Sequence, residues 1–287
     1  MPSRPPPSRP HPGAKPGARS GAKPGATREQ VERRERFTRA RRESLRPAEA
    51  DGPAVLYGWH TVTAALRNPA RHIRRLLATE NAARRLADEG VAPAIVPEVV
   101  RPSAIDERLL PDAVHQGLYL EVDPLPSPAI ADLPADGIVL VLDQITDPHN
   151  VGAIFRSAAA FAATAIVTTQ RHSADVTGAL AKAASGALEF VPLVSVQNLA
   201  RGLAALKASG FLVVGLDSSG EADLAALPLR APLALVLGAE GKGLRQLTKE
   251  TCDAVARIEL PGTIKSLNVS NAAALALYVA SRQLRGA

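Results

Sequence analysis

From residue 138 onward the sequence alternates short apolar runs with loops and amphipathic stretches, and this rhythm restricts the fold more than any other feature of the chain. The segments 138–142, 165–168, 189–194, 211–216, 233–237 and 255–260 read as strands, and 151–162, 177–184, 196–209, 243–250 and 270–284 as helices. Uninterrupted apolar runs such as IVLVL leave no polar face for water. Strands of this kind are covered on both sides, which implies a largely parallel sheet between helical layers and an α/β fold class. Apolar residues make up 46% of the chain and aromatics only 3%, so the core is built from Ala, Leu and Val. Ligands of such sheets bind beyond the carboxyl ends of the strands, and the loops found there are where chemistry is to be sought.

Upstream, residues 55–123 read as a separate small α/β unit. It has helical patterns at 58–66 and 81–89, strand candidates at 72–79, 94–96 and 117–122, and Ser103 capping a helical turn. The segment 124–137 (PLPSPAIADLPADG) is rich in Pro and Asp and reads as a linker. The expected division is 1–52, 53–123, 124–137 and 138–287. Residues 1–26 are of low complexity, with AKPGA at 14–18 and again at 22–26, and 27–46 could form only a transient basic helix.

Charge follows the same division. The formal net charge is +6, but residues 1–46 hold 13 of the 34 Lys and Arg and only 4 of the 28 Asp and Glu. The remainder is therefore net acidic, with 21 basic and 24 acidic residues. A basic leash of this kind adds salt-sensitive affinity for nucleic-acid phosphate without reading sequence; it reads equally as a solvated extension. No run approaches the roughly 18 apolar residues of a membrane-spanning helix. The Pro- and Arg-rich start lacks the apolar region of a secretory signal. A single cysteine, Cys252, excludes an intramolecular disulfide framework and fits a reducing compartment, so a cytoplasmic location is expected. Cys252 reads as a small buried residue, and the six histidines show no zinc-ligand spacing, so no metal is expected.

Three loops at strand ends carry unusual residues. In DQITDPHNVGAIFRSA (143–158), Asn150 reads as an N-cap and Arg156 lies among Ala and Ile on the following helix. Arg156 is either a snorkelling side chain or a cation that needs an anionic ligand. In ALVLGAEGKGLRQL (234–247), Gly238, Gly241 and Gly243 permit close approach of a ligand to the main chain. Glu240 in that loop places negative charge near a helix N-terminus. Neither phosphate-binding glycine fingerprint is present. The third loop, ARIELPGTIKSLNVSNAAALALYVASRQ (256–283), gathers Ser266, Asn268, Ser270 and Asn271, more polar groups than one helix cap requires, before a small-residue helix.

Together and in this order, the loops resemble the SpoU (TrmH-type) branch of the knotted SPOUT methyltransferases. The match is carried by Asn150 with Arg156, by Gly238-Ala239-Glu240-Gly241, and by Ser266-Leu267-Asn268-Val269-Ser270. Tyr57-Gly58-Trp59-His60 and Ala113-Val114-His115-Gln116-Gly117 are similar to the family's small, ribosomal-protein-like substrate-binding domain. The resemblance spans about residues 55–284 and is nearest to the enzymes that methylate a guanosine ribose in bacterial 23S rRNA. It implies a C-terminal domain tied as a trefoil knot, S-adenosylmethionine as methyl donor, an RNA substrate, and a homodimer with two chains meeting at one site. It implies cofactor contacts at Leu237, Gly238, Ile258, Leu260 and Leu267, mostly through main-chain atoms. Arg156 is the implied catalytic residue, with Asn150, Glu240, Asn268 and Ser270 holding the reactants in register. A guanidinium is a poor base, which favours orientation and charge stabilisation as the role of Arg156. Two alternatives remain: the same chemistry on tRNA, and a non-catalytic RNA-binding scaffold.

Overall fold

The computed structural model describes residues 53–171, 173–174 and 178–286. The reading of the basic tail, the start of the helix expected at 177, and His11 and His172 lie outside the described residues.

The N-terminal unit is a four-stranded sheet, ordered β1-β4-β2-β3, with three helices. Its strands are β1 (Ala54–Tyr57), β2 (Ile73–Ala78), β3 (Glu98–Val99) and β4 (Leu118–Val122). The helices α1 (Trp59–Arg67), α2 (Glu80–Asp88) and α3 (Pro102–Asp106) connect them. β4 runs antiparallel to β1 and β2, and β3 lies parallel to β2. Three local expectations change. The strand expected at 94–96 forms instead at Glu98–Val99, because pairing with Leu77 and Ala78 of β2 selects those residues; Val96 stays 89% exposed. Arg101, not Ser103, precedes the helical turn, since Pro102 fits the first helical position, where no N–H is needed. The four-residue run of β1 is too short to mark a strand by itself, and pairing with β4 makes it one.

The C-terminal unit is a seven-stranded, wholly parallel sheet ordered β7-β6-β5-β10-β8-β11-β9. In chain order it comprises β5 (Ile138–Asp143), α4 (Pro148–Ala160), β6 (Ala165–Thr169), α5 (Gly178–Ala184) and β7 (Leu193–Val196). Next come α6 (Leu199–Ala208), β8 (Leu212–Leu216), β9 (Ala222–Asp223) and β10 (Leu233–Gly238). α7 (Gln246–Thr251), β11 (Ala254–Arg257) and α8 (Val269–Leu284) complete it. The first half of the run expected as a strand at 189–194 is a 3-10 turn over Ala187–Glu189 and an irregular stretch. The strand expected at 255–260 ends at Arg257, where its neighbour β9 also ends.

The apolar runs are buried on both faces, and alternation decides which layer each side chain joins. Leu140 and Leu142 of β5 and Leu235 and Leu237 of β10 pack with α4, α5 and α8. Val139, Val141, Ala234 and Val236 pack with Leu199, Leu203 and Leu206 of α6 on the other side. The first of these clusters continues through Leu56, Trp59 and Val62 into the N-terminal unit, so the two sheets share one core. A buried ion pair reinforces the junction. Glu189 accepts from Arg71 Nη2 at 2.6 Å and Nε at 3.1 Å and from Asn68 Nδ2 at 2.8 Å. No helix among the described residues is long and apolar enough to cross a membrane.

Candidate active site

The strand order fixes where the three loops meet. β5 and β10 lie side by side in register, Leu142 against Leu237 and Asp143 against Gly238, so their carboxyl-end loops emerge together. β8 and β11 follow on the other side of β10, which brings the segment after Arg257 to the same edge.

The first loop enters α4 through Asp147, whose carboxylate accepts from His149 N at 2.8 Å and so is the N-cap; Pro148 occupies the first helical position. Asn150, expected as the cap, lies inside the first turn. That frees its amide for long-range bonds: Asn150 Nδ2 donates to Glu240 Oε1 at 3.2 Å, and Asn150 Oδ1 accepts from Asn268 Nδ2 at 2.8 Å. Asn268 is the N-cap of α8, its Oδ1 accepting from Ser270 N at 2.9 Å and Ser270 Oγ at 2.5 Å. Because a backbone N–H can only donate, this contact fixes the amide orientation, and Asn268 Nδ2 faces Glu240 Oε1 at 2.8 Å. Val269 N donates to the same oxygen at 3.2 Å. Glu240 thus lies at the N-terminus of α8 rather than of the helix that follows it in sequence, where its charge complements the helix dipole.

Asn150, Glu240, Asn268 and Ser270 therefore form one network joining the three loops. Arg156 is not part of it: its side chain is exposed and makes no hydrogen bond or ion pair among the described residues. Leu237 is 2% exposed and its side chain belongs to the core. Gly238 ends β10, while Ile258 and Leu260 follow β11 and Leu267 immediately precedes the cap. Along 259–267 the main chain is open. Apart from the Leu260 carbonyl, which accepts from Lys265 Nζ at 2.6 Å, its polar groups make no hydrogen bonds among the described residues.

The glycines of the second loop are required by packing. A Cβ on Gly238 would stand 2.2 Å from the Gly243 carbonyl carbon, and Gly243 itself has φ +65° with Asp217 Oδ2 2.4 Å from where a Cβ would be. Two acids missed in the sequence hold this turn. Asp143, 1% exposed, accepts from Arg245 Nε at 2.7 Å and Arg245 N at 3.2 Å. Asp217 accepts from Ser219 Oγ at 2.6 Å, Ser219 N at 3.0 Å, Leu244 N at 3.1 Å and Lys249 Nζ at 3.0 Å. Burial works to raise its pKa, but these donors outweigh it and bring the carboxyl down to about 2. Both acids stand where an apolar strand run breaks, in IVLVLD and VVGLD, and a search for such breaks would have found them. Cys252 is half-buried, and burial followed by the charge of Asp253 pushes its thiol up to about 12, which suits a packing residue.

A parallel sheet covered on both faces, with a polar network beyond its carboxyl ends and a small mixed-sheet unit packed against it, defines an α/β protein of two units. Residues 137–278 match the model of the SpoU rRNA Methylase family, and residues 55–128 that of the RNA 2′-O ribose methyltransferase substrate binding domain. The chain belongs to the SpoU rRNA methylase family. It is 40% identical over 237 residues to a 23S rRNA (guanosine-2′-O-)-methyltransferase RlmB from Ralstonia nicotianae, covering 80% of this chain and 95% of the relative. A relative of the same name from Pseudomonas syringae is 39% identical over 237 residues, 79% and 95% of the two chains. Among solved structures, the SpoU methyltransferase AviRb from Streptomyces viridochromogenes in complex with AdoMet is 25% identical. It superposes with a TM-score of 0.69 over 88% of this chain and 97% of its own. A TrmH-family protein from Porphyromonas gingivalis is 26% identical, with a TM-score of 0.68 over 91% and 99%.

Proposed function

We propose that this protein transfers a methyl group from S-adenosylmethionine to the ribose 2′-hydroxyl of a guanosine in 23S rRNA. The observation that carries the proposal is the likeness to two 23S rRNA guanosine-2′-O-methyltransferases across 95% of their length. The network of Asn150, Glu240, Asn268 and Ser270 supports it from the site.

The residues present fit the methyl donor. The exposed main chain of 259–267 offers free donors and acceptors beside the apolar side chains of Ile258, Leu260 and Leu267, and Leu237 and Gly238 form the adjoining strand end. When bound, the donor supplies an electrophilic methyl group together with its own leaving group. The protein's share of the reaction is then positioning and charge. Arg156 holds the nucleotide phosphate and stabilises the negative charge that develops on the 2′-oxygen as its proton passes to solvent. The four-residue network fixes the three loops relative to one another, so that ribose and methyl donor meet in line.

An Arg156 without a partner among the described residues is consistent with a site shared between two chains, and the homodimer is part of this proposal. α4 and α8 pack side by side, and α8 turns an exposed stripe of Leu275 and Tyr278 outward, 43% and 54% accessible. The trefoil knot belongs to the same reading and rests on the family match over residues 137–278. So do a cytoplasmic location and the division into a tail at 1–52, a recognition domain at 53–123, a linker at 124–137 and a methyltransferase domain at 138–287.

The test is transfer of labelled methyl from S-adenosylmethionine to protein-free 23S rRNA, 16S rRNA and bulk tRNA in parallel, followed by nucleoside analysis. Label as 2′-O-methylguanosine in 23S rRNA alone is the expected result. Label confined to tRNA overturns the substrate, and no label anywhere overturns the activity. Arg156→Ala is expected to reduce transfer at least about a hundredfold without weakening binding of the methyl donor; full transfer by this variant would remove Arg156 from the mechanism.

A further inference from the structure

The two motifs that open and close the N-terminal unit are not used by the three-loop site, yet they meet. Trp59 N donates to Gln116 Oε1 at 2.8 Å, and the two residues border a cavity of about 350 Å³ that Asn81, Arg85, Pro102 and His115 also line. That volume lies within the range of about 300–1,000 Å³ for small-ligand sites.

The cavity contains a prepared flat surface. The Arg85 guanidinium lies 3.7 Å from the centroid of the Trp59 ring, which is itself only 3% exposed. Glu89 Oε1 accepts from Arg85 Nε at 2.9 Å, so the guanidinium is held on one face and along one edge. Its other face is open, the side chain being 53% exposed. Around it stand amide groups with spare capacity. The Asn81 side chain and Gln116 Nε2 make no hydrogen bonds among the described residues. Gln116 is held at φ 53°, a left-handed conformation that a residue with a Cβ adopts only when its surroundings impose it. Here His115 Nδ1 accepts from Gly117 N at 3.0 Å, and its Nε2 donates to Asp106 Oδ1 at 3.1 Å, which locks the loop.

We propose that this cavity is a subsite for an unpaired nucleotide of the RNA substrate. The base stacks on the open face of Arg85, and its polar edge faces Asn81 and Gln116. Planar guanidinium groups stack on bases splayed out of single-stranded RNA, whereas a duplex offers no free base face. Thr61 of α1 donates to the Ala181 carbonyl of α5 at 3.2 Å, and with the Arg71–Glu189 pair this holds the subsite against the methyltransferase sheet. None of the residues lining the cavity belongs to the three-loop network, so the nucleotide bound here is an anchor distinct from the one that receives the methyl group. The inference rests on the reading that the chain acts on RNA.

Trp59 is the single tryptophan of the chain, so its emission reports on the cavity directly. The full chain is titrated with a short mixed-sequence single-stranded oligoribonucleotide and with the corresponding duplex. Single strand is expected to change Trp59 emission. Arg85→Ala is expected to weaken single-strand binding about tenfold while leaving duplex and S-adenosylmethionine binding unchanged. It should raise KM for 23S rRNA by a similar factor with kcat intact. Arg85→Lys retains the charge but not the plane and should not restore affinity. Asn81→Ala, at an exposed position, gives a second arm with several-fold weaker single-strand binding should Arg85→Ala fold poorly. Unchanged binding by the Arg85 and Asn81 variants, full rescue by lysine, or Trp59 emission that ignores saturating single strand overturns the subsite. If the wild-type chain methylates no RNA while Arg85-dependent binding persists, the assigned activity fails and the subsite stands.

Discussion

Replacing Asn268 by alanine separates what the polar network contributes to stability from what it contributes to catalysis. Asn268 caps α8 through Ser270 N, and loss of such a cap costs about 0.5–2 kcal/mol. The same change removes one of the three donors to Glu240 Oε1 and the donor to Asn150 Oδ1. Both residues are reached by solvent, so water replaces those bonds and the added cost is small. The expected total is about 1–2 kcal/mol, a fall in Tm of roughly 2–8 °C for a protein of this size. Asn198→Ala is the matched control. Asn198 caps α6 through Arg201 N at 3.0 Å and takes no part in the network, so its cap loss should be of similar size. Both variants are compared with wild type by thermal melting, and by methyl transfer at saturating 23S rRNA and S-adenosylmethionine well below either Tm. Asn198→Ala should retain wild-type kcat, whereas Asn268→Ala should lose tenfold or more, because three loops lose their shared fixed point. Equal kcat in the two variants would refute the positioning role and reduce Asn268 to a cap.

Further outcomes follow from the packing. Gly238→Ala pushes a methyl group into the Gly243 backbone and should destabilise the protein by about 1–3 kcal/mol or abolish soluble expression. Gly241→Ala meets no atom within 4 Å and should cost only the strain of its φ of +74°, about 1 kcal/mol; equal losses for the two would contradict the close approach. Glu189→Ala leaves Arg71 buried without its charge partner and should cost about 3–5 kcal/mol by denaturant titration, with a paired apolar replacement of Arg71 and Glu189 recovering most of it. Asp217 is held at about 2, below its ordinary 3.8, so its contribution is complete above the unfolded value and disappears as pH falls toward 2. The stability gap between wild type and Asp217→Asn, about 1–2 kcal/mol after allowing for solvent at Ser219 and Lys249, should be constant above pH ~4 and close below it; a gap that widens on acidification would reverse the assignment.

Sequence alone determined the fold class and the positions at which loops leave the sheet, because runs such as IVLVL and LALVL carry their burial in their own composition. It also singled out Asn150, Asn268 and Ser270, since amide and hydroxyl groups after an apolar run are visible locally, and Glu240 within its glycine-rich loop; Asn150 and Ser270 lie in the first turns of the helices that follow. It did not determine which loop meets which. That depends on β10 lying between β5 and β8 and on β11 beyond β8, a matter of long-range pairing that no local period encodes. The same physics explains the smaller corrections. Asp147 caps α4 because Pro148 suits the first helical turn, which releases Asn150 for partners 90 and 118 residues away. Glu240 complements α8 rather than α7 because the tertiary fold, not chain order, decides which helix end stands nearest. The shared core of the two sheets and the stacking of Arg85 on Trp59 likewise exist only once distant segments pack, since neither residue type nor spacing records a contact between separate elements.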